Sequence, residues 1–75
     1  MRMADAAHQV LKQLDRPAAT QEIYDEIVRS QLFTFGAKNP VNVLRSTLRK
    51  HTEGSQNLRG QARFSSPSPG IFRAL

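Results

Sequence analysis

Asn39-Pro40-Val41-Asn42-Val43-Leu44-Arg45-Ser46-Thr47-Leu48-Arg49-Lys50-His51 is the stretch that decides the fold. Asparagine is a favoured residue just before a helix, and proline suits the first helical position, where its missing N–H leaves nothing unsatisfied. The spacing therefore predicts a helix over 40–51, with Asn39 as its cap and Gly54 as its stop. At 100° per residue, Val41, Leu44 and Leu48 fall in one narrow sector. Asn42, Ser46, Arg49 and Lys50 lie opposite them, with Arg45 at the flank. One side of this helix is built for a core, and the other offers amide, hydroxyl, guanidinium and ammonium groups.

Upstream, two more helices are legible. Ala4, Ala7, Val10, Leu11 and Leu14 recur at the spacing of one helical face, and Asp15-Arg16-Pro17 should end that helix. A second helix should start at Thr20, with the threonine hydroxyl as cap and Glu22 in the first turn. Ile23, Tyr24, Ile27 and Val28 form its apolar stripe, which fades near Ser30-Gln31. In the link that follows, Leu32 and Phe33 are expected to plug the core and Gly36 to allow a positive φ.

Downstream lies a hairpin. A short strand is expected over 61–65, then turn material in Ser66-Pro67-Ser68-Pro69-Gly70, then a returning strand over 71–75. Phe64 should be buried. Alternation lets either Phe72 or the pair Ile71 and Leu75 face the core. Three helices and then a hairpin give a mainly α winged helix-turn-helix, filling 1–75 as one domain, expected to be part of a longer protein.

Composition bounds the function. The chain has 75 residues, 39% of them hydrophobic and 23% charged, which is the ordinary range of folded domains. With no cysteine there is no disulfide and no thiolate zinc site. The N-terminal residues lack the apolar core of a signal peptide, so an intracellular setting, in cytoplasm, nucleoid or nucleus, is expected. The net charge is +5, and it is segregated: residues 1–31 carry −1 and residues 32–75 carry +6. Solubility alone does not require such segregation, and a polyanion is the natural partner of the positive half.

The outward face of the third helix is the main binding candidate, because a polar helix face with an accessible N-terminal end suits the major groove of DNA. Asn42 is placed to contact adenine, Ser46 allows close approach, and Arg49 suits guanine or a phosphate. Val43 is an outward apolar residue that would meet a thymine methyl or pack on a neighbouring loop. Lys38, Arg45, Lys50, Arg59, Arg63 and Arg73 are expected on phosphates, which position a domain without reading sequence.

Catalysis has little support. His8 and His51 are the only imidazoles, and Asp5 with His8 makes a surface pair rather than a metal site. Asp25-Glu26 point in different directions, so they are not a paired-carboxylate site. No catalytic residue, metal, cofactor or small-molecule substrate is expected, and no membrane partner. Single-stranded RNA is less favoured, because Tyr24, Phe33, Phe35, Phe64 and Phe72 are mostly needed inside, Phe35 being the one to watch. A reading of another class is a protein-interaction module, recruiting a polymerase or chromatin enzyme through Glu22, Asp25, Glu26 and the loop around Phe35.

Taken together, these pieces resemble the HARE-type helix-turn-helix domain, found in Asx-like Polycomb cofactors, homeobox-containing proteins and restriction endonucleases. The matching residues are Ala6-Ala7, Val10-Leu11, Arg16-Pro17-Ala18, Glu22-Ile23, Ile27, Leu32, Asn39-Pro40, Leu44, Leu48, Phe64 and Pro69-Gly70-Ile71-Phe72. They cover nearly the whole chain. Two departures are Lys38-Asn39, where the family often has threonine or serine, and Arg73-Ala74-Leu75, where the last strand's second apolar residue is displaced or small. The resemblance implies a winged-helix fold and DNA binding, often fused to chromatin, restriction or DNA-modification modules. A similar fold at the start of the RNA polymerase delta subunit implies that protein contacts are also open to it.

Overall fold

A computed structural model describes residues 2–54 and 62–75. The chain runs α1 (Met3–Leu14), β1 (Ala18–Ala19), α2 (Thr20–Arg29), α3 (Pro40–Lys50), β2 (Phe64–Ser68) and β3 (Ile71–Ala74). The three helices pack on one another, and a three-stranded antiparallel sheet of order β1-β3-β2 closes one side. This is a winged helix-turn-helix with β2 and β3 as the wing.

The apolar faces read from spacing do form the core. Ala4, Ala7, Val10 and Leu11 of α1, Ile23 and Ile27 of α2, and Leu44 and Leu48 of α3 are buried together with Phe64 and Phe72. Leu14, Tyr24, Leu32 and Phe33 pack half-buried around them. Two residues of those faces stay out of the core: Val28 is 47% exposed, because α2 is covered only on its Ile23/Ile27 side, and Val41 is only half-buried at the start of α3. The Arg2 backbone N–H donates to the Asp5 carboxylate at 3.2 Å, satisfying a free amide at the start of α1. Asp15 ends that helix in the left-handed region at φ 54°, its N–H donating to the Leu11 carbonyl at 3.0 Å. The stop is thus made two residues before Pro17.

Other local expectations change. Thr20 is the first residue of α2 rather than its cap; Ala19 holds the cap position, and the Thr20 hydroxyl is buried with no partner among the described residues. Asn39 makes no side-chain cap either, since its φ of −118° and ψ of 74° lie outside the extended geometry that aims a side chain at the helix amides. Its carbonyl instead accepts the Val43 N–H at 3.2 Å. Gly36 does not use a positive φ; among the described residues the glycines that do are Gly54 and Gly70, at 82° and 76°.

The first wing strand lies further along the chain, and the turn is tighter, than the residues suggested. β2 continues through Ser66-Pro67 to Ser68, with a register irregularity between Ser65 and Ser68. Only Pro69-Gly70 remain as the turn. Proline at the first central position and a positive-φ glycine at the second suit a type II turn. Pro67 is tolerated because β2 is an edge strand. The register choice falls on Phe72, which is buried, while Leu75 is 48% exposed. β1 sets that choice: Ala18 pairs with Phe72 and Ala19 with Ile71, which makes β3 the central strand.

Candidate nucleic-acid interface

The end of α3 is locked to the base of the wing by backbone bonds. The His51 carbonyl accepts the Arg63 and Phe64 amides at 2.9 and 3.2 Å, and the Phe64 carbonyl accepts the Glu53 amide at 2.9 Å. Thr52, buried, donates its hydroxyl to the Leu48 carbonyl at 2.6 Å. These bonds hold the helix and the wing at a set separation and leave an open groove of about 780 Å³ between them. Arg45, Ser46, Arg49 and Lys50 line one wall. Ser66, Pro69 and Gly70 of the wing line the other, with Glu53 at the junction. Ser66 Oγ lies 2.8 Å from the carbonyl oxygens of both Ser68 and Ile71, which stiffens the wing wall.

The expected contact residues therefore separate. Arg45, Ser46, Arg49 and Lys50 converge on the groove, and Asn42 is exposed one turn earlier on the same helix. Lys38 is exposed in the link before α3. Arg73 is exposed on β3 but does not line the groove, because Phe72 takes the adjacent position there and successive strand residues point to opposite faces. Arg63 lines a different depression, with His8, Ala62 and Leu75. Its guanidinium donates to the Asp5 carboxylate. Arg59 lies outside the described residues. Val43 is 39% exposed and outward-facing.

Electrostatics sharpen the division. Arg16 pairs with Glu22, Arg29 with Glu26 and Arg63 with Asp5. The Arg63 guanidinium holds the Asp5 carboxyl below its usual range, helped by the Arg2 amide, and Arg16 does the same for Glu22. Among the described residues, Arg45, Arg49 and Lys50 make no ion pair, so the groove keeps its positive charge while Arg16, Arg29 and Arg63 are neutralised internally. The same pairs blunt the acidic face of α2 proposed as a protein contact, leaving Asp25 bound to Gln21 at 3.0 Å.

Asp5 and His8 do not act together. His8 Nε2 lies 3.0 Å from the Leu75 carbonyl oxygen, and its ring meets Phe64 edge-on. Phe35 is half-buried, with its ring 5.0 Å from Tyr24 and 5.1 Å from Phe33, so these three aromatics pack on one another. Among the described residues no group of His, Asp or Glu is placed to hold a metal ion, and no helix is long and apolar enough to cross a membrane. Sequence reasoning missed Glu53 as part of the groove. Its position three residues past α3 was visible, but the approach of the wing was not.

A family model for HARE-HTH, the helix-turn-helix domain of ASXL proteins and restriction endonucleases among others, matches residues 1–73. The chain belongs to this family. Helix-turn-helix domains generally bind DNA, with one helix entering the major groove. In this HARE-HTH domain α3 is the helix with the matching polar face. Comparison with curated proteins and with solved structures returned no match.

Proposed function

We propose that this HARE-HTH domain binds duplex DNA, with the exposed face of α3 in the major groove and the wing against the phosphate backbone. The observation that carries the reading is the groove between α3 and the wing, where Arg45, Arg49 and Lys50 line one wall with no acidic partner among the described residues. Asn42, Ser46 and Arg49 read base edges. Lys38, Arg45, Lys50 and Arg73 meet phosphates, and Arg59 has the same role if the wing follows the backbone. Arg63 contributes least, because it must leave Asp5 to reach a phosphate. The domain catalyses nothing itself.

If roughly four or five phosphates are neutralised, log K should fall with log salt at a slope of about −4. Such binding is weak at physiological salt, so useful affinity comes from a second copy or from a fused module in a longer protein. That module would supply a restriction, DNA-modification, chromatin or transcription activity, in an intracellular setting. A fluorescence-anisotropy titration with random-sequence duplex at low and moderate salt tests the reading. Salt-sensitive binding is expected. No binding at low salt, or binding indifferent to salt, sinks it in favour of the protein-interaction module.

A further inference from the structure

Every acidic residue but one precedes Leu32; the exception is Glu53. It stands just beyond the C-terminus of α3, where the helix dipole disfavours a negative charge. It is exposed, and among the described residues its carboxylate has no ion-pair or hydrogen-bond partner. Its backbone is not free, however: the amide is held by the Phe64 carbonyl at 2.9 Å, and Gly54 beside it takes φ 82°. A carboxylate is thus held at the junction of a groove whose helical wall otherwise presents Arg45, Arg49 and Lys50. In a surface built only to grip phosphates this group opposes binding.

The mixed chemistry fits a base pair better than a backbone. In the major groove guanine presents two acceptors, N7 and O6, and its cytosine presents one donor, the N4 amino group. Arginine matches the first and a carboxylate matches the second. Arg49 and Glu53 are four positions apart, line the same groove and make no ion pair with each other. We propose that Arg49 and Glu53 together read a G·C base pair, Arg49 on guanine and Glu53 on the cytosine amino group, and that Glu53 also suppresses generic backbone binding. This rests on the DNA-binding reading above.

The test is selection from a pool of duplexes with a randomised centre, using the wild-type domain, Glu53→Gln and Glu53→Ala, with melting temperatures as a check on folding. The wild type should enrich a G·C pair at one position by about fivefold or more, at the low end of discrimination by a good side-chain contact. Both variants should lose that enrichment and bind the unselected pool more tightly. Glutamine, which suits adenine, should move the preference towards A·T. Unchanged enrichment in the variants overturns the assignment, and so does tighter binding by the same factor to every sequence. If the wild type binds no duplex at low salt, the DNA-binding reading itself has failed; if it binds but Glu53 is irrelevant, only this inference has.

Discussion

The Arg63 guanidinium at the base of the wing donates to the carboxylate of Asp5 in the first turn of α1, 58 residues earlier in the chain. Around the same residue, the Arg63 amide donates to the His51 carbonyl and its carbonyl accepts the Leu75 amide. Arg63 thus joins α1, the exit of α3 and the end of β3. Its positive charge serves the fold before it serves a ligand.

Arg63 and the groove cations should accordingly separate by experiment. Arg49→Ala with Lys50→Ala is expected to weaken duplex binding and to reduce the salt slope by about 1, because Lys50 neutralises a phosphate whereas Arg49 reads a base, with the melting temperature nearly unchanged. A reduction of about 2 would place Arg49 on a phosphate instead. Arg63→Ala should lower the melting temperature and leave the slope closer to wild type. The opposite pattern in anisotropy and thermal melts would place Arg63 on the DNA.

Asp5 and Glu22 should define the acid limb of stability. Their arginine partners lower both folded-state pKa values. The unfolded chain, with ordinary values near 3.9 and 4.3, therefore takes up protons first as pH falls. The contribution is complete above about pH 5 and is lost as pH drops through the lowered folded values. Melting temperatures followed from pH 7 to about pH 2 at low salt should show a shallower decline for Asp5→Asn with Glu22→Gln. A decline identical to wild type would mean the two pairs are not maintained in solution.

Core and buried-polar positions on the helices should respond in opposite directions. Leu48, fully buried on α3, should cost about 2–5 kcal/mol when changed to alanine. Thr20→Val removes a buried hydroxyl that has no partner, so it should be neutral or stabilising by about 1 kcal/mol. Denaturant unfolding measures both. A large loss with valine would show that the hydroxyl has found a partner in solution.

Two glycines offer a similar contrast. Gly70 sits at φ 76° in the wing turn, where an added Cβ is strained, so Gly70→Ala should destabilise by about 1–2 kcal/mol. Gly36 has neither a positive φ nor any atom within 4 Å of an added Cβ. Gly36→Ala should therefore be neutral, or stabilising by about 0.4–1 kcal/mol through the unfolded state. Chemical denaturation of the two variants side by side checks this.

Much of the fold was legible because it is encoded over short distances. A proline compatible with the first turn marks the start of α3, and the recurrence of Leu44 and Leu48 marks its buried face. The segregation of charge into the second half is a property of residue order alone, and it survives into the groove. The same holds for Phe64, whose large apolar side chain had to be buried in a chain this small.

What the residues left open depended on partners far along the chain. Ala18 and Ala19 have no pattern that marks a strand; they become β1 because β3 passes beside them. That pairing, with α1 packed against β3, turned Phe72 inward where alternation allowed two choices. The threonine and asparagine at helix starts are favoured caps, yet Thr20 falls one position inside α2 and the φ and ψ of Asn39 are not those of a side-chain cap. Which cations stay free was likewise decided by distant acids, and Glu53 joined Arg49 only when the wing closed one side of the groove. Backbone restrictions and side-chain spacing act within a turn or two, so sequence states them directly. Pairing and neutralisation are chosen among surfaces that meet only after the chain has folded.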